Sequence, residues 1–145
     1  MDIISHGLYS SILFGRKNRK SFWLAFIFGI LPDFLAFAPF FVMTMLGLTF
    51  RTWEFGEPPA YGDMPSYVYS VYNFSHSFVV FVVIFLLLWL IFRRPILEFF
   101  GWALHILVDI PLHTTNFFPT PFLWPISDLS IDGHPWSDPY IFIPN

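Results

Sequence analysis

Five side chains able to hold a metal or move a proton lie inside apolar stretches of this sequence: His6, Asp33, His76, His105 and Asp109. A carboxylate at the centre of a bilayer costs about 2.5–3.5 kcal/mol on insertion scales, so it needs a partner or a task. No basic residue lies within a few turns of Asp33 or Asp109 along the chain. Arg93 and Arg94 sit near a helix end, where the carboxylate within their reach is Glu98. Protonation relieves a buried carboxylate, and so does coordination to a cation. The spacing favours the cation. His105 and Asp109 are four apart, hence on one face of a helix, the arrangement by which a single helix supplies two ligands. His113 follows about one turn later on nearly the same side if the helix survives Pro111, and Trp102 and Glu98 continue the stripe in the other direction.

Each residue also has an ordinary structural explanation. A lone helical histidine is usually a hydrogen-bonded core residue. Pro32-Asp33 can be a helix-start signal, with proline in the first turn and aspartate favoured by the dipole. Ser75-His76-Ser77 can cap a helix. His134, in Asp132-Gly133-His134-Pro135-Trp136, reads as an interfacial loop residue rather than a ligand. Depth gives the five a common purpose. At 1.5 Å per residue from the basic turns, His6 and His105 lie roughly 14 Å up, Asp33 and Asp109 roughly 20 Å, and His76 roughly 25 Å. Unrelated core histidines have no reason to share one slab.

The elements that must position these residues are four apolar segments. Ile3–Phe14 is too short to span a hydrocarbon core that takes about 20 helical residues, so it reads as a half-length or re-entrant helix. Ser21–Phe50 is longer than a span needs, and Pro32 predicts a break near Leu31-Pro32-Asp33. Arg51–Ser70, with its acidic residues, prolines and glycines, reads as a loop. The third segment runs from about Asn73 to Phe92 and the fourth from Ile96 to about His113. From Thr114 the tail is rich in proline and aromatics, which suits an irregular segment at a membrane interface. The fold class is therefore an all-α, polytopic membrane helical bundle, with residues 1–145 forming one membrane-embedded domain.

Composition supports that class. The chain is 56% hydrophobic and 12% charged, about half the charged share of soluble domains, so the apolar excess must face lipid. The seven basic residues form no broad face, which excludes nucleic acid as a partner. Six of the seven lie in two turns, Arg16 to Lys20 and Arg93-Arg94, and one crossing each by segments two and three puts both turns on one side. By the positive-inside rule that side is cytoplasmic, and the acidic loop and the tail lie outside. A signal peptide is not expected, because the basic cluster follows the first apolar run instead of preceding it. With no cysteine, thiolate ligands and disulfides are excluded.

Ser5-His6-Gly7, Leu31-Pro32-Asp33, Ser75-His76-Ser77, His105-x-x-x-Asp109 and Leu123-Trp124-Pro125-Ile126-Ser127-Asp128 occur in that order over nearly the whole chain. In this the sequence resembles the bacterial membrane-bound predicted metal-dependent hydrolases, a group that includes a LexA-regulated inner-membrane protein. Many members carry a His-Arg pair shortly before the Thr-His-Ser motif. This chain has Val71-Tyr72-Asn73 there, so Tyr72 and Asn73 replace the pair or it is lost. The ligand order is also similar to that of the soluble zinc-dependent phospholipase C fold. That resemblance implies that Asp33 both ligates metal and acts as base, and that His113 joins the ligands.

The expected function is a metal-dependent hydrolase in a bacterial inner membrane. Its site would face the outer half, holding zinc or another divalent transition metal, with more than one ion allowed by six ligands. The expected substrate is a phosphoester in a membrane lipid or lipid-linked compound. Two other readings use the same residues: an ion pathway without catalysis, for which the repeated halves of a transporter are missing, and a structural metal that staples a short bundle.

Overall fold

The computed structural model describes residues 2–49, 64–116 and 118–142, and these are all-helical, with no strand. The order is α1 (Ile3–Phe14), α2 (Arg19–Met45), α3 (Ser66–Ser75), α4 (Phe78–Phe92), a 3-10 turn (Leu97–Phe99), α5 (Phe100–Leu112) and a single-turn α6 (Pro139–Phe142). Asp2 starts α1: its carboxylate accepts the amides of Ile4 and Ser5 at 3.1 and 3.0 Å and the Ser5 hydroxyl at 2.6 Å. Asn18 starts α2 by accepting the Ser21 amide at 3.0 Å. The twelve residues of α1 reach about 18 Å, short of a bilayer's hydrocarbon thickness.

The expected break at Pro32 does not occur. Helix α2 runs unbroken through Pro32 and Pro39. Proline removes one backbone bond and crowds the turn before it. Yet Pro32 is fully buried, and an apolar setting offers no water to the groups that an opened helix would expose. Keeping the remaining bonds is the cheaper outcome. The break falls instead inside the third segment. Helix α3 ends at His76, whose amide donates to Tyr72 O at 2.8 Å, and α4 leaves it at 60°. Ser77 caps α4 by accepting the amides of Val79 and Val80 at 3.1 and 3.3 Å, and donates to the carbonyl of Trp124. The Phe78 amide donates to Phe122 O at 2.9 Å, so the tail pins the bend. The end of the expected loop is also corrected, because Ser66 to Ser70 form the first turns of α3 behind Pro65. Residues 51–63 of that loop lie outside the described residues.

Helix α1 packs along α2, and α5 closes on both. Small residues allow this. A Cβ on Gly29 would meet the Ser10 hydroxyl and, at 2.6 Å, the carbonyl oxygen of His6; one on Gly101 would stand 2.9 Å from Ala25 O. Two apolar clusters flank the contact: Ala36, Phe40, Val68, Tyr72 and Phe118 on one side, and Phe81, Phe99, Trp102 and Ile106 on the other. The polar distribution is inverted relative to a soluble domain. Ser5, Ser10, Ser11, Ser75 and Ser77 are buried, while Val82, Leu86, Leu87, Leu90 and Ile91 of α4 are exposed. Among the described residues one helix, α2, is long and apolar enough to cross a membrane, and the bent α3–α4 pair passes as a second if counted as one span.

The two basic turns meet at one end of the fold. There Glu98 accepts the Ser21 hydroxyl at 2.6 Å and pairs with Lys17 at 3.7 Å, instead of with Arg93 or Arg94 as the sequence suggested. Burial alone would raise the Glu98 carboxyl, but the Ser21 hydrogen bond and Lys17 outweigh it and hold the group below its ordinary range. At the other end the tail covers the end of α5. Gly133, His134 and Trp136 donate their amides to the carbonyls of His113, Pro111 and Leu112 at 2.9–3.1 Å, satisfying groups that a helix terminus leaves unpaired. Outside α6 the described tail is irregular, as expected.

Candidate metal centre

Three helices and one bend bring the chemistry together. Helix α5 presents His105 and Asp109 from one face, and α2 contributes Asp33. His76 comes from the bend, which α5 holds in place: Trp102 Nε1 donates to Ser75 O at 2.6 Å. Tyr72, one turn earlier on α3, stacks on the His76 ring at 3.7 Å between centroids.

Backbone carbonyls set the histidine tautomers. His105 Nδ1 lies 2.6 Å from Gly29 O, and His76 Nδ1 lies 3.1 Å from Tyr72 O and 3.0 Å from the Ser75 hydroxyl. A carbonyl only accepts, so each Nδ1 carries the proton, and a ring that is neutral then turns its lone pair outward at Nε2. These two Nε2 atoms face each other at 3.1 Å. Asp33 Oδ1 stands 3.5 and 3.6 Å from the Nε2 atoms of His76 and His105, and Asp109 Oδ2 stands 3.4 and 3.2 Å from them. One ligand atom from each of the four residues lies within 4.8 Å of the others. Four electron-pair donors this close repel unless a proton or a metal ion sits among them. A tetrahedral shell with bonds of about 2.0–2.1 Å has ligand–ligand edges of about 3.3 Å, and the five separations above bracket that value. The Asp33/His76/His105/Asp109 group could therefore hold a metal ion, and its mixed nitrogen and oxygen donors suit zinc, manganese or iron.

The other candidate residues lie around this group. His6 Nε2 is 2.9 Å from Asp109 Oδ1, the carboxylate oxygen turned away from the two histidines, and the His6 ring stacks on His105 at 3.7 Å. It is placed to orient Asp109 from behind, as an outer partner of a metal ligand does. Among the described residues its Nδ1 has no hydrogen-bond partner, and its Nε2 meets Asp109 as a close polar contact outside hydrogen-bond geometry. His113 caps α5 in extended backbone, so the helical stripe ends one residue before it. Its Nδ1 lies 2.7 Å from Phe118 O and 2.8 Å from the Tyr72 hydroxyl, and its Nε2 is 3.8 Å from Asp109 Oδ2. His134 is exposed, and its backbone amide donates to Pro111 O at the end of α5. Tyr72, raised by the sequence only as a replacement for a family pair, touches both His76 and His113. The signal that could have found it is its spacing of four residues before His76 on one helix. The carbonyls of Gly29 and Phe118 have no sequence signal.

Access to the group is uneven. The side chains of His76, His105 and Asp109 are at most 1% exposed, whereas that of Asp33 is 14% exposed. Asp33 is thus the one of the four with a partly exposed side chain. A separate cleft of about 210 Å³ lies beside Tyr72 and is lined also by Tyr69, Asn73, Asp128 and Ser130. No protein-family model, curated protein or solved structure matches this chain.

Proposed function

We propose that the chain is a membrane-embedded, metal-dependent hydrolase that holds zinc at Asp33, His76, His105 and Asp109 and acts on a phosphoester of a lipid or lipid-linked substrate. The observation that carries this reading is the set of five ligand–ligand separations of 3.1–3.6 Å, joined to the partial exposure of Asp33 alone. Two neutral imidazoles and two carboxylates carry a charge of −2, which one divalent cation neutralises. When bound, the metal supplies Lewis-acid polarisation of the phosphoryl group and acidifies a water toward neutrality. Asp33 accepts the proton of the attacking water at the exposed edge. His6 holds Asp109, and Tyr72 holds His76 and His113, so the ligand atoms keep their positions through turnover.

In this reading α2 and the bent α3–α4 pair each cross the bilayer, α1 enters it part-way and α5 returns. The joined basic turns lie on the cytoplasmic side of a bacterial inner membrane, with the metal group in the outer half. One observation favours a second reading, a structural metal that staples the helices: three of the four ligands are almost wholly buried, and structural sites are closed. Asp33→Asn separates the two. It keeps the shape and an oxygen donor but loses the charge. The hydrolase reading expects metal content to fall only partly, while hydrolysis falls about 10²–10⁴-fold, the usual contribution of a positioned general base. The staple reading expects metal retention and melting temperature to fall together, with no turnover in the wild type. Folded, metal-free and active wild-type protein refutes both.

A further inference from the structure

Cations from both basic turns line one recess. It holds about 390 Å³ between the start of α2 and the turn after α4, with Lys17, Lys20 and Arg94 on its walls. Helix α4 ends at Arg93 in left-handed backbone, φ 56°, and the reversal brings Arg94 and Ile96 to the recess. Arg16, Arg19 and Arg93 belong to the same turns but not to its lining. Glu98 also lines it. It accepts the Ser21 hydroxyl and pairs with Lys17, so it offsets one of the three cations and leaves a surplus of two. Among the described residues Lys20 and Arg94 have no carboxylate within ion-pair distance. Asn18 uses its side-chain oxygen on the Ser21 amide, so its nitrogen stays a donor. Toward the bilayer the wall turns apolar. Leu24 lies about 6 Å further into the α2 span than Lys20, Phe92 is the last residue of α4 before the turn, and both are exposed.

We propose that this recess binds an anionic phospholipid of the bilayer, its phosphate held by Lys20, Arg94 and the Asn18 amide and its chains passing Leu24 and Phe92 into the hydrocarbon. The positive-inside rule asks only that the turns be basic. It does not ask that a lysine of one turn and an arginine of the other share a recess. Basic pockets between helices on the cytoplasmic side are suited to phosphate headgroups. The positive end of the α2 dipole adds to the field there. A soluble phosphate would meet the same cations but would leave Leu24 and Phe92 uncovered, whereas a lipid uses both walls in the order in which they occur. Neither the metal group nor hydrolysis enters here. Only the proposed crossings of α2 and the α3–α4 pair do, by setting the recess at headgroup level.

The test uses the full chain in nanodiscs of phosphatidylcholine with a minor share of phosphatidylglycerol, released gently and weighed by native mass spectrometry. One phosphatidylglycerol per chain should be retained in preference to phosphatidylcholine. Lys20→Gln and Arg94→Gln should each weaken retention about fivefold and together about 30-fold, as expected for one cation per step beside an anionic headgroup. Lys20→Arg with Arg94→Lys should keep it. Arg16→Gln with Arg19→Gln removes the same charge outside the recess and should leave the lipid in place. Both leaflets have one composition, so a change of orientation does not mimic the loss. Melting temperature is read on the same samples, and should a double variant unfold, the single ones decide. Equal losses in the two glutamine pairs identify a diffuse basic surface and overturn the proposal. So does phosphatidylcholine retained as strongly as phosphatidylglycerol. Glycerol phosphate or inorganic phosphate that binds as tightly in micelles makes the ligand a soluble anion and overturns it too. A chain that does not enter nanodiscs refutes the crossings and the lipid site together, whereas an inserted chain without lipid preference refutes the site alone.

Discussion

Gly29→Ala tests the construction of the site without touching any ligand. Gly29 does two things: it lets α1 approach α2, and its carbonyl fixes the tautomer of His105. On helix propensity alone the substitution should stabilise α2, since glycine costs about 1 kcal/mol relative to alanine in a helix interior. The contacts oppose this. The new methyl would stand 2.6 Å from His6 O and 2.7 Å from Ser10 Cβ, one of them backbone, so the helices must part. Overpacking of this kind costs about 1–3 kcal/mol, and loosening the His105 Nδ1 bond adds about 0.5–1.5 kcal/mol. The balance is a net destabilisation of about 1–3 kcal/mol, equivalent to a fall of roughly 3–10 °C in Tm for a chain of this size. As α1 moves away it carries His6 from Asp109, so metal affinity should fall about 10–100-fold, as when an outer partner of a ligand is lost. Thermal unfolding in detergent and metal titration with a competing chelator read both effects. A variant as stable as the wild type with unchanged affinity would show that α1 does not rest on Gly29, and the placement of His6 would fail with it.

Three further outcomes follow from other contacts. Tyr72→Phe keeps the stack on His76 but removes the hydroxyl that joins His113, Phe118 O and Thr120, and should cost about 0.5–1.5 kcal/mol in unfolding assays with the four-residue group still loaded. Complete loss of metal would instead make His113 an obligatory ligand. Glu98 has a depressed folded pKa, so its contribution is full above the ordinary glutamate value of 4.5 and is lost as pH falls through the folded value. The Tm advantage of wild type over Glu98→Gln should shrink in that acid window, and an advantage that grows there would reverse the sign of the argument. Single cysteines at Asn18 and Leu129, in this cysteine-free chain, should react with impermeant reagents from opposite sides of the membrane; labelling from one side refutes the proposed crossings.

Much of the site was legible in the sequence, because charge in an apolar stretch is conspicuous and helical spacing is regular. His105 and Asp109 share a face by their separation alone, and counting from the basic turns placed Asp33 and His76 near them in depth. The half-length α1, the irregular tail and the common end of the two basic turns were legible for the same reasons of length, composition and charge. Spacing along one helix, however, says nothing of which nitrogen or oxygen of a side chain meets the group. His6 could therefore be read only as a candidate ligand, whereas in the structure it meets the far oxygen of Asp109.

Prolines and serines show the limit from another side. Pro32 reads as a break in any isolated helix, yet α2 stays whole, because buried backbone in an apolar setting has no better partner than the helix itself. The bend lies at His76-Ser77, where a serine cap and two tail carbonyls reward an interruption that local propensity does not demand. What the sequence determined by itself is the inventory: which segments are apolar, which charged groups those segments must accommodate, and which of them share a helix face. Only the tertiary structure decided how the donors are aimed, through the carbonyls of Gly29, Tyr72 and Phe118 that set the histidine rings. A carbonyl is common to every residue, so its use as an acceptor appears only when another segment is folded against it.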